Sequence, residues 1–286
     1  MTCPAPSRPS GSRRAPGLAD AAFLARSATD ALHPLALVPV WAWILLAAPI
    51  LRIAGGLPGS ILLGIAGLLV WALVAARVSW KLRTGEAPPV AGPARSVARA
   101  LPDIFIAPLG TVSVPAFFLV LAAVGCLVGL IPIVGTALLV LWLATGGLVL
   151  VLLGAYWLFF ALTAAPIQVA MATAGSGRTR MEILAESLGK VRRAPLRVLL
   201  GWVMVAACAS GAAALTAGGL LAVAALIDGA GSAVRPGSLQ IWAPWIDPPA
   251  DMPVALAALA RLAPAVLIAT LFAGSARLDR LLEEES

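Results

Sequence analysis

Few side chains in this chain could do chemistry, and most stand where chemistry would be difficult. Histidine occurs once, as His33, at the edge of an apolar run, where a hydrated bystander is expected rather than a general base. Cys3, Cys126 and Cys208 are far apart. Two fall within apolar runs and one in a Pro- and Ser-rich start, which gives neither a disulfide framework nor metal-ligand spacing. Arg261 is the unusual residue: it stands inside an apolar stretch, where an arginine is costly unless a partner or a function holds it. Asp228 is its natural counter-ion if the guanidinium is buried. Alternatively the side chain snorkels to the surface, or residues 253–261 form an interfacial helix. The chain has no Walker A lysine, GxGxxG after a strand, HExxH or GxSxG, and no carboxylate pair within an apolar run. Catalytic residues, metal ligands and cofactors are therefore not expected, and a typical proton-coupled carrier would lack its groups.

The elements that must position these residues are membrane spans. Of 286 residues, 61% are hydrophobic and 12% charged, and the mean hydropathy is +0.99. That is more apolar side chain than one soluble core can hide, so the bilayer is the solvent for much of it. The net charge of +7 then reflects topology rather than nucleic-acid binding. About 20 apolar residues cross the hydrocarbon. Charge-free runs place spans at 31–51, 59–76, 108–130, 137–165 and 198–227, with a sixth at 252–274 carrying Arg261. No charge occurs from Ile104 to Gly177, and Ile131-Pro132-Ile133-Val134-Gly135 breaks that stretch into two crossings. The Gly- and Ala-rich fifth span is expected at the centre of the bundle or at an oligomer contact, and Gly125 and Gly129 form a weak GxxxG match. Trp242 and Trp245, in the loop before the sixth span, are expected as interfacial anchors.

One charged segment, Thr179 to Arg197, lies between the longest apolar runs. Thr179 and Glu182 have capping-box spacing, so a helix starts near Arg180. Met181, Leu184, Leu188 and Val191 recur at spacings of three and four, with Glu182, Glu186, Lys190 and Arg193 on the other side. Such a helix, ending in Arg192, Arg193 and Arg197, is expected to lie in the headgroup region with its basic end near anionic lipid. Pro93 to Ile106 forms a second candidate interfacial helix, which Pro102 should bend or end. Ala107-Pro108-Leu109 and Ala194-Pro195-Leu196 close the two segments alike, which fits either an internal duplication or coincidence.

Residues 1–30 are expected as a disordered basic tail, with 18–30 alternatively a short amphipathic helix; Asp20, Arg26 and Asp30 spoil a secretory signal. Residues 31–274 form the six-span domain and 275–286 a charged tail. All the lysines and arginines except Arg52, Arg235 and Arg261 fall on one side of this topology. By the positive-inside rule both termini are cytoplasmic, in a bacterial inner membrane.

A proline leaving span four, Pro166, then a glycine-containing turn and ILAESLGKVRRAPLR entering the next span resemble bacterial six-helix membrane proteins of uncharacterised role. Among these is the membrane domain attached to some glycerophosphodiester phosphodiesterases. Leu184, Ser187, Lys190, Arg193, Pro195 and Arg197 fill the matching positions. The chain departs at Leu188 and Gly189, where an aromatic is usual, and it carries no phosphodiesterase domain. The resemblance implies an all-α membrane bundle and no activity. The expectation is a polytopic bundle of six spans with two cytoplasmic interfacial helices, and a non-enzymatic accessory, assembly or structural subunit of a membrane complex. Its partners would be lipid and other membrane polypeptides. A permease or channel-like protein for a small or lipidic solute is the alternative.

Overall fold

His33 begins the first crossing: its Nδ1 accepts from Leu35 N at 3.3 Å, and Pro34 follows at the first helical position, where its missing N–H costs nothing. The computed structural model describes residues 18–86, 88, 91–131, 134–174, 178–228 and 258–283, with the backbone alone at 18, 128 and 221–228. Every regular element among them is helical, and six stretches are long and apolar enough to span a membrane. The protein is an all-α, multi-pass membrane bundle.

Helix α1 (Leu18–Ala31) leads into α2 (Pro34–Ala54). Gly55, at φ 68°, turns the chain directly into α3 (Gly56–Thr84), and the Trp43 ring lies against Gly67 with no room for a Cβ. The α3 helix runs well past Arg77, the expected end of the second span, and stops at Gly85, whose left-handed φ of 73° lets its N–H reach Lys81 O. Helix α4 (Ala91–Cys126) passes through Pro102, Pro108 and Pro115 without ending. The second interfacial helix is therefore the first part of a continuous α4, its prolines tolerated within a bundle that re-satisfies the freed backbone groups.

A 3₁₀ turn at Leu127–Leu130 reverses the chain into α5 (Gly135–Trp142), a π turn at Leu143–Gly147 and α6 (Leu148–Thr173). The Trp142 ring packs over Gly125, Gly146 and Gly147, and Leu139 faces Gly129. The glycine pair thus serves the turn of this hairpin. Helix α7 (Arg180–Arg193) and α8 (Pro195–Asp228) are separated by Ala194, and α9 (Leu262–Glu283) closes the described chain.

The core lies toward the end where α1 and α7 sit. Leu24, Ile167, Ile183, Val191, Val198 and Leu278 join α1, α6, α7, α8 and α9. A second cluster, including Ala31, Val40, Val74 and Ala269, joins α1, α2, α3 and α9. Trp71 stacks on Phe272 at 4.9 Å and donates to Ser275 Oγ at 3.0 Å, fastening α3 to α9.

Several expectations are corrected by this arrangement. Residues 18–30 are not a disordered tail, because Leu24, Ser27 and Asp30 form a buried face of α1; residues 1–17 lie outside the described residues. Residues 275–283 are not a free tail, since Ser275, Arg277, Leu278, Asp279 and Leu282 are buried in the last turns of α9. Arg261 stands near the start of the sixth crossing, Ala258–Glu283, just before α9, because that crossing is shifted toward the C-terminus. Of the two places expected for the fifth span, the centre of the bundle is overturned, since one face of the helix is exposed. Gly201, Val205, Ala209 and Ala213 form its buried stripe, while Ala207, Gly211, Ala214 and Gly218 are exposed. The loop with Arg235, Trp242 and Trp245 lies outside the described residues.

Candidate functional site

Charges gather where α1, α3, α7 and α9 meet. In α9, Arg277 and Asp279 are two positions apart and so point in different directions. Arg277 turns toward α1: its Nε and Nη2 donate to Asp30 Oδ2 at 2.8 and 2.6 Å, its Nη1 donates to Phe23 O at 3.0 Å, and it lies 4.9 Å from the centre of the Phe23 ring. Lys81 of α3 donates to the other oxygen of Asp30 at 2.7 Å. The Asp30 side chain, 4% exposed, thus holds two cations, of which Arg277 is buried and Lys81 half exposed.

A third cation stands beside them. Arg77, one turn before Lys81, is 8% exposed, and its Nη2 lies 3.0 Å from both ring nitrogens of His33. Because His33 Nδ1 accepts from Leu35 N, the neutral tautomer with its proton on Nε2 fits this cap. Desolvation, then repulsion from Arg77 and Lys81, holds the imidazole below its ordinary value, with Asp30 pulling the other way. These residues line a cleft of 310 Å³ with Thr29, Leu32 and Pro88.

Asp279 turns toward α7 instead. Lys190 Nζ lies 2.7 Å from Asp279 Oδ1 and 3.3 Å from Glu186 Oε1. Arg178 reaches Glu186 at 3.3 Å and Glu283 at 3.2 Å, and Arg280 reaches Glu283 at 3.2 Å. The three cations Arg178, Lys190 and Arg280 are matched by the three carboxylates Glu186, Asp279 and Glu283. Among the described residues this network clamps α7 to α9. Two outlying pairs are Arg197 with half-buried Asp20 at 2.9 Å and Arg180 with Asp103 at 2.7 Å; Arg180 is 51% exposed, so the second contributes at most about 1 kcal/mol.

Between α4, α6 and α7 sits a buried amide. Gln168 Nε2 donates to Thr111 Oγ1 at 2.7 Å and to Ser187 Oγ at 3.0 Å, while the hydroxyls donate onward to Ala107 O and Leu184 O. The Gln168 Oε1 is buried without a partner among the described residues.

The capping box of α7 forms as its spacing predicts: Glu182 N donates to Thr179 Oγ1 at 3.4 Å, and Thr179 N donates to Glu182 Oε2 at 2.7 Å. The backbone bond, then the threonine hydroxyl, keeps the Glu182 carboxyl below its ordinary value. The faces of α7 are rotated from the expected ones. Ile183, Ser187, Lys190 and Val191 are buried, Leu184 and Leu188 are half-buried, and Met181 is exposed. Lys190 is therefore removed from the set of lipid-facing cations, because Asp279 draws it inward. Arg192 and Arg193 are exposed, and Arg197 is half-buried against Asp20. Arg261 Nε is buried without a partner among the described residues, and the side chain of Asp228 lies outside them.

Sequence reasoning missed Asp30, Arg77, Gln168, Arg277 and Asp279. Gln168 carried a signal, as a lone amide in a charge-free run. The Leu24, Ser27 and Asp30 spacing in α1 was another. No family model, curated protein or solved structure matches the chain.

Proposed function

We propose that the protein is a non-enzymatic accessory or assembly subunit of a complex in a bacterial inner membrane, with both termini cytoplasmic. The open face of α8 carries this reading. Ala207, Gly211, Ala214 and Gly218 are exposed at spacings of four, three and four, and a Cβ on Gly211 or Gly218 would meet nothing within 4 Å. In lipid, such a face lets another helix approach closely and gain packing that acyl chains supply less well. The charges support the reading from the other end of the bundle: Lys81, Arg178, Lys190 and Arg277 are spent joining elements of this chain. The side with most of the lysines and arginines is assigned to the cytoplasm by the positive-inside rule.

The reading is tested by co-purification of tagged protein from its own membranes. Gly211→Leu should lose the associated polypeptides while remaining folded; a folded variant that keeps them at wild-type stoichiometry contradicts the assignment. A permease for a lipidic solute is a second reading, favoured by the basic cleft at the α1–α2 turn. Solute-dependent flux in proteoliposomes would support it.

A further inference from the structure

The two charge clusters differ in balance. The α7–α9 clamp matches three cations with three carboxylates. Around the cleft, among the described residues, Arg77, Lys81 and Arg277 face a single carboxylate, Asp30, which Lys81 and Arg277 already occupy. Arg77 is left as a buried guanidinium whose hydrogen-bonded neighbour is an uncharged imidazole. Asp30 attracts Arg77 only at a distance, because Lys81 and Arg277 hold both of its oxygens; three cations around one carboxylate leave a costly excess of positive charge, and an anion would complete the site. Access is from the His33 side, since His33 is exposed while Arg77 forms the inner wall.

The position of the cleft identifies the anion. It opens where α2 enters the membrane at Pro34 and near the end of α3, which is headgroup depth. Leu32, in the cleft wall, is 51% exposed, and Leu35 and Val38 continue an exposed apolar track along α2. A ligand with a phosphate at one end and a hydrocarbon chain at the other fits both features. Guanidinium groups bind phosphate oxygens through parallel N–H donors, which an ammonium cannot copy.

We propose that this cleft seats the phosphate of an anionic phospholipid headgroup on Arg77, beside Lys81 and His33, with an acyl chain against Leu32, Leu35 and Val38. The occupant is a lipid rather than free phosphate because the apolar track adjoins the basic wall.

The test uses the full chain in detergent micelles and native mass spectrometry with added phosphatidylglycerol or phosphatidylcholine. One phosphatidylglycerol should be retained in preference to phosphatidylcholine. Arg77→Gln should weaken retention about ten-fold or more, the size expected for losing charge-assisted hydrogen bonds. Arg77→Lys should retain part of the affinity, and Arg83→Gln, at an exposed cation of the same helix end, should retain all of it. Equal retention by folded Arg77→Gln overturns the proposal.

A second measurement needs no variant. With one histidine in the chain, isotope-labelled imidazole reports on the cleft alone. In wild type, His33 should titrate below its ordinary 6.5, and phosphatidylglycerol should move the midpoint upward, because a new anion beside Asp30 offsets Arg77 and Lys81. An unmoved midpoint overturns the proposal. The same upward shift with millimolar inorganic phosphate overturns the assignment to lipid.

Discussion

Asp30→Asn should be among the most damaging single-atom-scale changes in the chain. The carboxylate is 4% exposed and accepts from Arg277 at 2.8 and 2.6 Å and from Lys81 at 2.7 Å. Lys81 is half exposed and can rehydrate when its partner is neutralised. Arg277 is 5% exposed and cannot. Removing one partner of a buried pair costs about 3–5 kcal/mol because an uncompensated charge remains inside. Replacing both charges leaves none stranded, so Asp30→Asn with Arg277→Met should recover much of that loss, with a coupling of about 2–3 kcal/mol in the cycle. Asp103→Asn is the control: its partner Arg180 is 51% exposed, and the change should cost about 1 kcal/mol or less. Reversible unfolding in mixed detergent–SDS micelles would measure these three and the single Arg277→Met that completes the cycle. An Asp30→Asn cost no larger than that of Asp103→Asn, or a double variant as unstable as the sum of the singles, would refute the reasoning.

Other substitutions test the packing, the capping and the topology. A Cβ on Gly274 would run into the branched side chain of Val205, so Gly274→Ala should cost about 1–3 kcal/mol by overpacking. Gly189→Ala, with open space at that point of α7, should be neutral or stabilise by up to about 1 kcal/mol; the same unfolding assay ranks them. Thr179→Ala should destabilise by about 1 kcal/mol through loss of the cap. Glu182 is depressed in the folded state, so its contribution is present above its ordinary value of 4.5 and is lost as pH falls through the lower folded value. Stability measured across that acid range should fall less steeply in Thr179→Ala than in wild type. A reporter fused after Ser286 should read cytoplasmic, and periplasmic labelling there would reverse the topology.

The parts of this fold that were legible in the sequence are those set by nearby residues. The six crossings follow from hydropathy summed over each run, and the start of α7 follows from two side chains three positions apart. What escaped depends on distant partners. Charges at Arg77 and Arg277 looked like span ends, yet α9 continues because Asp30, 247 positions before Arg277, neutralises its buried guanidinium, and α3 runs on to Lys81, which pairs with the other oxygen of Asp30. Lys190 fell on the polar side of α7 by periodicity. Its inward turn is decided by Asp279, 89 positions later. Pro102 and Pro108 looked like breaks because local rules treat each proline alone, whereas packing of α4 along α6 holds the helix through them. The small residues of α8 were recognised, but which of them face outward follows from the single stripe that packs on α9.

The subunit assignment is tested most directly by native mass spectrometry of the protein extracted gently from its own membranes. Stoichiometric foreign polypeptides bound to the chain are the predicted result. A lone monomer or a homo-oligomer, with bound lipid as its only companion, would contradict the assignment and move the search to lipid transport.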